Sequence, residues 1–364
     1  MNQHPYKSLP DHAFWRRAVS GVAPSEIDPV VSAGFSIDRA DKVATAGSCF
    51  AQHIARYLKQ SGYNYLVTET AHPLVAQDAE KFNYGLFTAR YGNIYTSRQL
   101  LQLFDRAFGE FVPEEDVWQG ENGGVIDALR PTIQPGGFPN IEELVSDRNQ
   151  HLAAVRQAFR TLDVFVFTLG LTECWRSRAD GLVYPICPGV SGGRFDPEKH
   201  EFLNLSVDEI VSDLQDFVHK LRSINPSSRV VLTVSPVPLA ASASGKHVLT
   251  ATTLSKSILR VAAEIACTTL PKVFYFPSYE IVTGAFARGA YFAPDLRSVT
   301  EPAVEHVMFL FLKHATVGES GILRSSANDE SLGQAANDRF LGEMSAWVQV
   351  MCDEEALDPE EGAI

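Results

Sequence analysis

A chain of 364 residues with 45% hydrophobic and 21% charged content can bury a large core, which excludes a disordered chain and a disulfide-stapled miniprotein. Thirty-one Lys and Arg stand against forty-four Asp and Glu, a net charge of −13, and so acidic a chain repels phosphate backbones and anionic lipid. Nucleic acid and membrane are therefore not expected as partners. The first residues, Met1 to Tyr6, have neither a basic n-region nor an apolar h-region, and no apolar run is long enough to span a bilayer. A cytoplasmic protein is the expectation. The five cysteines, Cys49, Cys174, Cys187, Cys267 and Cys352, are widely spaced and read as reduced thiols rather than a disulfide framework or metal site.

In chain order, Lys42 to Ala46 reads as a modest strand ending at Gly47, followed by helical patterns over Phe50 to Gln60, Arg98 to Ala107 and Ile141 to Ala158. Val164 to Leu169 is a β-branched and aromatic run typical of a buried parallel strand, as are Arg229 to Val234 and Lys272 to Phe276. Helical patterns at Val207 to Ile224 and Leu254 to Thr268 separate them. This alternation predicts an α/β fold, a doubly wound parallel sheet with helices on both faces. The Gly- and Pro-punctuated stretches Trp118 to Asn140 and Arg176 to Asn204 read as inserted, substrate-facing loops. The main domain is expected over residues 1–320. Residues 321–364 are expected to add a helix, Asp338 to Val350, and a solvated acidic tail carrying Asp353, Glu354, Glu355, Asp358, Glu360 and Glu361.

Ser48 falls between the first strand and its helix, at the sheet edge where ligands of open α/β folds bind. Free backbone N–H groups of a helix start would stabilise an oxyanion there. The residue reads either as a nucleophile or as the N-cap of the helix. Cys49, beside it, reads as a small buried hydrophobe or as a thiol of lowered pKa.

Gly47-Ser48-Cys49-Phe50-Ala51 resembles the motif that names the GSCFA-domain family, an offshoot of the SGNH/GDSL hydrolases. It is joined in family order by Tyr91 to Thr96, Thr168 to Glu173, Ser235 to Pro238, Ser255-Lys256-Ser257 and Tyr275 to Glu280, so that the resemblance spans roughly residues 10 to 315. It implies an SGNH-hydrolase-like, flavodoxin-like three-layer sandwich with Ser48 as the nucleophile. Gly92 and Asn93 resemble the second SGNH block, and Gly170 to Glu173 stands at the third, with Thr172 in place of the usual Asn. These would hold the oxyanion, although Gly92-Asn93 also fits a plain turn and Glu173 a structural hydrogen-bond network.

The chain departs from the family at the last block, where Asp-x-x-His is expected and Asp295-Leu296-Arg297-Ser298 stands. A serine cannot accept a proton at neutral pH. Of the other histidines, His53 lies about 500° of helical rotation beyond Ser48 and points away, and His306 would sit ~12 Å beyond Ser298 on its helix, as a packing or network residue unless a tilted helix carries it inward to the site as a base or substrate-binding residue. His247, in the connection after Arg229 to Val234, is the best substitute base, with Asp295 or Glu173 to orient it, though a solvated loop histidine is the plainer reading. Trp175, Arg176 and Arg178, with the loop Cys187 to Asp196, His200 and Asn204, suit a sugar or carboxylated glycan; a structural loop is the alternative. No metal-ligand spacing or cofactor fingerprint is present.

The resemblance therefore implies a serine esterase or acyltransferase acting on an ester of a carbohydrate or another acylated small molecule, within polysaccharide biosynthesis. The alternative is a non-catalytic carbohydrate-binding or assembly protein that retains the hydrolase fold. Oligomeric state is not legible in the sequence.

Overall fold

The computed structural model describes residues 4–120, 123–316 and 353–357. In chain order the elements are β1 (Val43–Gly47), α1 (Phe50–Gln60), α2 (Ser97–Phe108), β2 (Val117–Gln119), β3 (Val125–Asp127), α3 (Ile141–Thr161), β4 (Val164–Leu169), β5 (Glu173–Ser177), β6 (Val183–Tyr184), β7 (His200–Asn204), α4 (Val207–Ile224), β8 (Arg229–Val234), α5 (Val248–Thr269), β9 (Val273–Tyr275), α6 (Ser278–Thr283) and α7 (Glu301–Ala315), with a 3-10 turn over Asp353–Leu357.

The four apolar runs form one parallel sheet in the order β1-β4-β8-β9. Beyond β1, Tyr65 makes a single parallel bridge to Val43. Counting that bridge as a residual edge gives a 2-1-3-4-5 order, the flavodoxin-like winding. Side chains of β4 alternate between two cores, as a strand's period of two requires. Val164 and Val166 pack with Ile54 of α1 and Phe311 of α7. Phe165 and Phe167 pack on the other face with Phe104 of α2, Phe159 of α3, Phe217 of α4 and Leu259 of α5. The result is a three-layer α/β sandwich.

Local sequence sets the helix starts. Thr96 with Gln99, and Ser206 with Glu209, form capping boxes at α2 and α4, and Asn140 caps α3 through the amide of Glu143. The expected start of α5 is six residues late, because His247 caps the helix through the amide of Leu249. The first expected loop contains the hairpin β2-β3, and the second contributes to the antiparallel sheet β6-β5-β7. Its glycines are packing residues: a Cβ on Gly193 would lie 2.7 Å from the Trp118 ring, and one on Gly192 2.6 Å from Ile126. The expected helix Asp338 to Val350 lies outside the described residues. Glu354 corrects the expectation of a solvated tail: it is buried and paired with Arg297 at 3.1 Å.

Candidate functional site

The C-terminal ends of β1 and β4 meet at Ser48. Gly47 has φ +140°, and a Cβ there would meet the Thr168 carbonyl at 2.5 Å, so only glycine lets β1 lie this close to β4 before turning into α1. The turn leaves Ser48 only 3% exposed, and its Oγ has no hydrogen-bond partner among the described residues. Its amide points at Thr168 O across 3.4 Å. The hydroxyl accepts no amide of α1, and the residue at the cap position is Cys49, without a side-chain cap bond. Capping therefore does not account for the Ser48 side chain.

Two neighbouring segments close around it. Ile94 donates its amide to Gly47 O, and Tyr95 O accepts the amides of Gly170 and Leu171. This brings the Tyr91–Tyr95 segment and the end of β4 together. Gly92 adopts φ +69° with open space where a Cβ would stand. The buried Asn93 accepts a long bond from Gln52 of α1, 3.4 Å. Gly170 lies directly against Ser48: a Cβ built on it would be 3.3 Å from Ser48 Cβ. Its amide is already committed to Tyr95. The Thr172 hydroxyl and amide both engage Ser255 Oγ, at 3.1 and 3.2 Å. In this arrangement Thr172 holds α5 to the sheet edge and is not an open donor.

The expected acid–base residues are occupied elsewhere. His306 is bonded on both sides, Nδ1 with Tyr291 Oη at 2.8 Å and Nε2 with Ile27 O at 2.9 Å, so both ring nitrogens are engaged. His247 uses Nδ1 to cap α5. Asp295 closes its own turn, accepting from Ser298 Oγ and the amides of Arg297 and Ser298. Glu173 accepts from Ser242 Oγ at 2.8 Å. Neither carboxylate orients His247. Arg176 and Arg178 share Glu201, at 2.5 and 2.6 Å, and Trp175 is flanked edge-on by Phe195 and Phe202. Burial and a nearby Arg56 push His53 down to about 3, leaving it neutral.

The sequence reading gave Lys256 no role of its own. Lys256, on α5, is 1% exposed and donates its ammonium to Gly170 O at 2.8 Å. It therefore reaches the residue packed on Ser48. Burial pulls its pKa down to about 8, against the opposing pull of Glu354 and Cys49, with Arg297 adding to the lowering. A charged amine that deprotonates near neutrality can serve as a general base. Ala251, Ser255, Lys256, Leu259, Ala262, Ala263 and Ala266 form the buried face of α5, and a lysine is almost never fully buried unless paired. Among the described residues no group of His, Cys, Asp and Glu could hold a metal, and no helix is long and apolar enough to cross a membrane.

No curated protein matches the chain. The family model described as the GSCFA family matches residues 42–311, which takes in Ser48, the Tyr91–Tyr95 segment, Gly170, Lys256 and Arg297 but not Glu354. With the motif residues gathered at one sheet edge and the match extending across most of its length, the chain belongs to the GSCFA family.

Proposed function

We propose that the protein is an SGNH-like serine esterase or acyltransferase, acting on an ester of a carbohydrate or polysaccharide precursor, in which Lys256 takes the place of the absent histidine. The observation that carries this reading is the Ser48 hydroxyl, buried and unpartnered at the head of α1, with a fully buried lysine on the carbonyl of the adjoining Gly170. An unmade hydrogen bond of this kind costs about 1–3 kcal/mol. Such a cost is characteristic of sites completed by a ligand.

In the proposed chemistry the neutral Lys256 amine accepts the Ser48 proton as Oγ bonds to the ester carbonyl carbon. The tetrahedral oxyanion forms next to Asn93 and the Gly92 turn. Its collapse breaks the bond to the leaving alkoxide, which takes the proton from the Lys256 ammonium. Water or a sugar hydroxyl then attacks the acyl-serine, again giving its proton to Lys256; collapse breaks the bond between Ser48 Oγ and the acyl carbon, and Ser48 takes the proton back from the Lys256 ammonium. The glycan setting rests on the family resemblance and on the aromatic and Arg-rich sheet β6-β5-β7.

The test is turnover of a series of acetylated sugars and a p-nitrophenyl acetate reporter. Ser48→Ala should abolish turnover, and Lys256→Met should reduce it by a factor of about 10²–10⁴, the usual worth of a general base. Retained turnover in Ser48→Ala overturns the reading. The non-catalytic alternative is favoured by the missing histidine of the Asp-x-x-His block, where Ser298 stands, and predicts glycan binding without any turnover.

A further inference from the structure

The block that departs from Asp-x-x-His brings a cation to the sheet edge. Asp295 accepts the amides of Arg297 and Ser298 and the Ser298 hydroxyl, and Leu296 stands at φ +56° within this closed turn. Arg297 reaches from the turn to the segment after β8, where its Nε donates to Pro238 O at 3.3 Å. The next residue, Leu239, packs with Tyr95, Leu171 and Ala251 and donates its amide to Thr252 Oγ1 at 3.3 Å. Thr252 precedes Lys256 by four residues, so the two lie one turn apart on one side of α5. Arg297 is thereby tied to the segments that adjoin Ser48 and carry Lys256.

A carboxylate from the far end of the chain meets the guanidinium there. Glu354 Oε2 lies 3.1 Å from Arg297 Nη2, with the arginine side chain 19% and the glutamate side chain 9% exposed. In the short turn Asp353–Leu357, Glu354 is buried while Ala356 and Leu357 are exposed. Among the turn's described side chains, then, only this carboxylate enters the fold. The pair differs from that of Arg176 and Glu201, which face each other across the β5–β7 ladder and are held by backbone register. Glu354 belongs to no strand of the sheets, and it lies outside the family-matched residues that include Arg297.

Both charges also act on the proposed base, Glu354 favouring the protonated form of Lys256 and Arg297 opposing it. A carboxylate seated on Arg297 therefore lies within electrostatic range of the amine. Guanidinium pairs with a planar carboxylate through parallel N–H···O bonds, a geometry that gives specificity as well as strength. The chain's own occupant shows that a carboxylate fits this position.

We propose that Arg297 is the subsite for a carboxylate on the substrate, and that Glu354 fills it as an intramolecular stand-in which an O-acylated uronic acid displaces. The inference rests on the acyl-transfer reading and names its substrate class. Exchange of one carboxylate for another leaves the charge around Arg297 and Lys256 unchanged, so an anionic substrate replaces Glu354 without stranding a buried cation. A neutral ester leaves Glu354 in place. Because the competitor is part of the same chain, it acts at a high effective concentration and weakens the apparent affinity for any free carboxylate.

The experiment is calorimetric titration of the full chain at pH 7 with D-glucuronate and, as the neutral counterpart, D-glucose. Glu354→Ala should fold normally by circular dichroism and bind D-glucuronate at least about tenfold more tightly than the native protein, with no gain for D-glucose. Adding Arg297→Gln to Glu354→Ala should abolish the gain. Adding Arg297→Lys instead keeps the charge but not the fork of donors, and should retain part of it. Ser48→Ala should bind D-glucuronate as the native protein does, so an inert Ser48 and an absent subsite give different results. Unchanged D-glucuronate affinity in Glu354→Ala, an equal gain for D-glucose, or a gain that survives Arg297→Gln would each overturn the proposal. A Glu354→Ala protein that does not fold would also overturn it, since the ion pair would then be a structural tie that no substrate could displace.

Discussion

If Lys256 is retained for chemistry rather than stability, its replacement should make the protein more stable and less active at once. Burial draws its pKa from 10.5 to about 8, roughly 2.5 units. Each unit corresponds to about 1.4 kcal/mol of differential interaction, so the buried ammonium should cost the fold about 3 kcal/mol. The unfolded chain binds the proton more tightly than the folded one. The penalty is therefore complete below pH 8 and declines as pH rises towards 10.5. Lys256→Met nearly conserves volume and carries no charge. In urea denaturation at pH 7 it should unfold about 3 kcal/mol later than the native protein, and the two curves should approach each other by pH 10. The acyl-transfer rate of the native protein should rise about tenfold between pH 7 and pH 9, as the neutral amine becomes the major form. That rise should be absent in Lys256→Met. A variant that is destabilised at pH 7, or a native rate that is flat across this range, would refute the assignment of Lys256 as a neutralisable base.

Glu354 helps keep Lys256 protonated, so Glu354→Gln should move the rising limb of the pH–rate profile to lower pH, and a shift upward would contradict the arrangement. Gly47→Ala forces a side chain into φ +140° and against the Thr168 carbonyl at 2.5 Å. It should cost about 3 kcal/mol or more or prevent folding, as judged by chemical denaturation, and a fully stable Gly47→Ala protein would contradict the close approach of β1 to β4. His306→Ala breaks the bonds to Tyr291 and Ile27 and should lose about 1–3 kcal/mol of stability with no change in the pH dependence of turnover. Loss of the pH–rate limb in that variant would move the base assignment from Lys256 to His306.

The sheet and its main helices were legible because Val164 to Leu169 and Arg229 to Val234 are continuous apolar runs buried on both faces, and because Phe50 to Gln60 and Val207 to Ile224 carry plain helical periods. The strands β5 and β7 were not, since Glu173, Arg176 and Glu201 interrupt them, and Arg176 is paired with Glu201 only across the antiparallel register. A single bridge at Tyr65 is too short to leave a pattern. At the site, Ser48, Gly92, Asn93 and Gly170 were reachable from motif and chain order, because successive crossovers of a parallel sheet return to one edge. The proposed base was not. Lys256 sits 208 residues after Ser48 within a helix whose other buried positions are Ala, Ser and Leu, and only the packing of α5 against Gly170 gives it a role. Glu354 looked like one more acid in an acidic end, and Arg297 is what buries it.

The central claim is that Ser48 is a nucleophile. Its most direct test is trapping of the native protein with a fluorophosphonate, followed by intact-mass measurement and peptide mapping. The account predicts a single phosphonyl adduct on Ser48, formed faster as pH rises through about 8 and absent in Ser48→Ala. A folded native protein that forms no adduct, or an adduct mapped to Cys49 or any other residue, would contradict it.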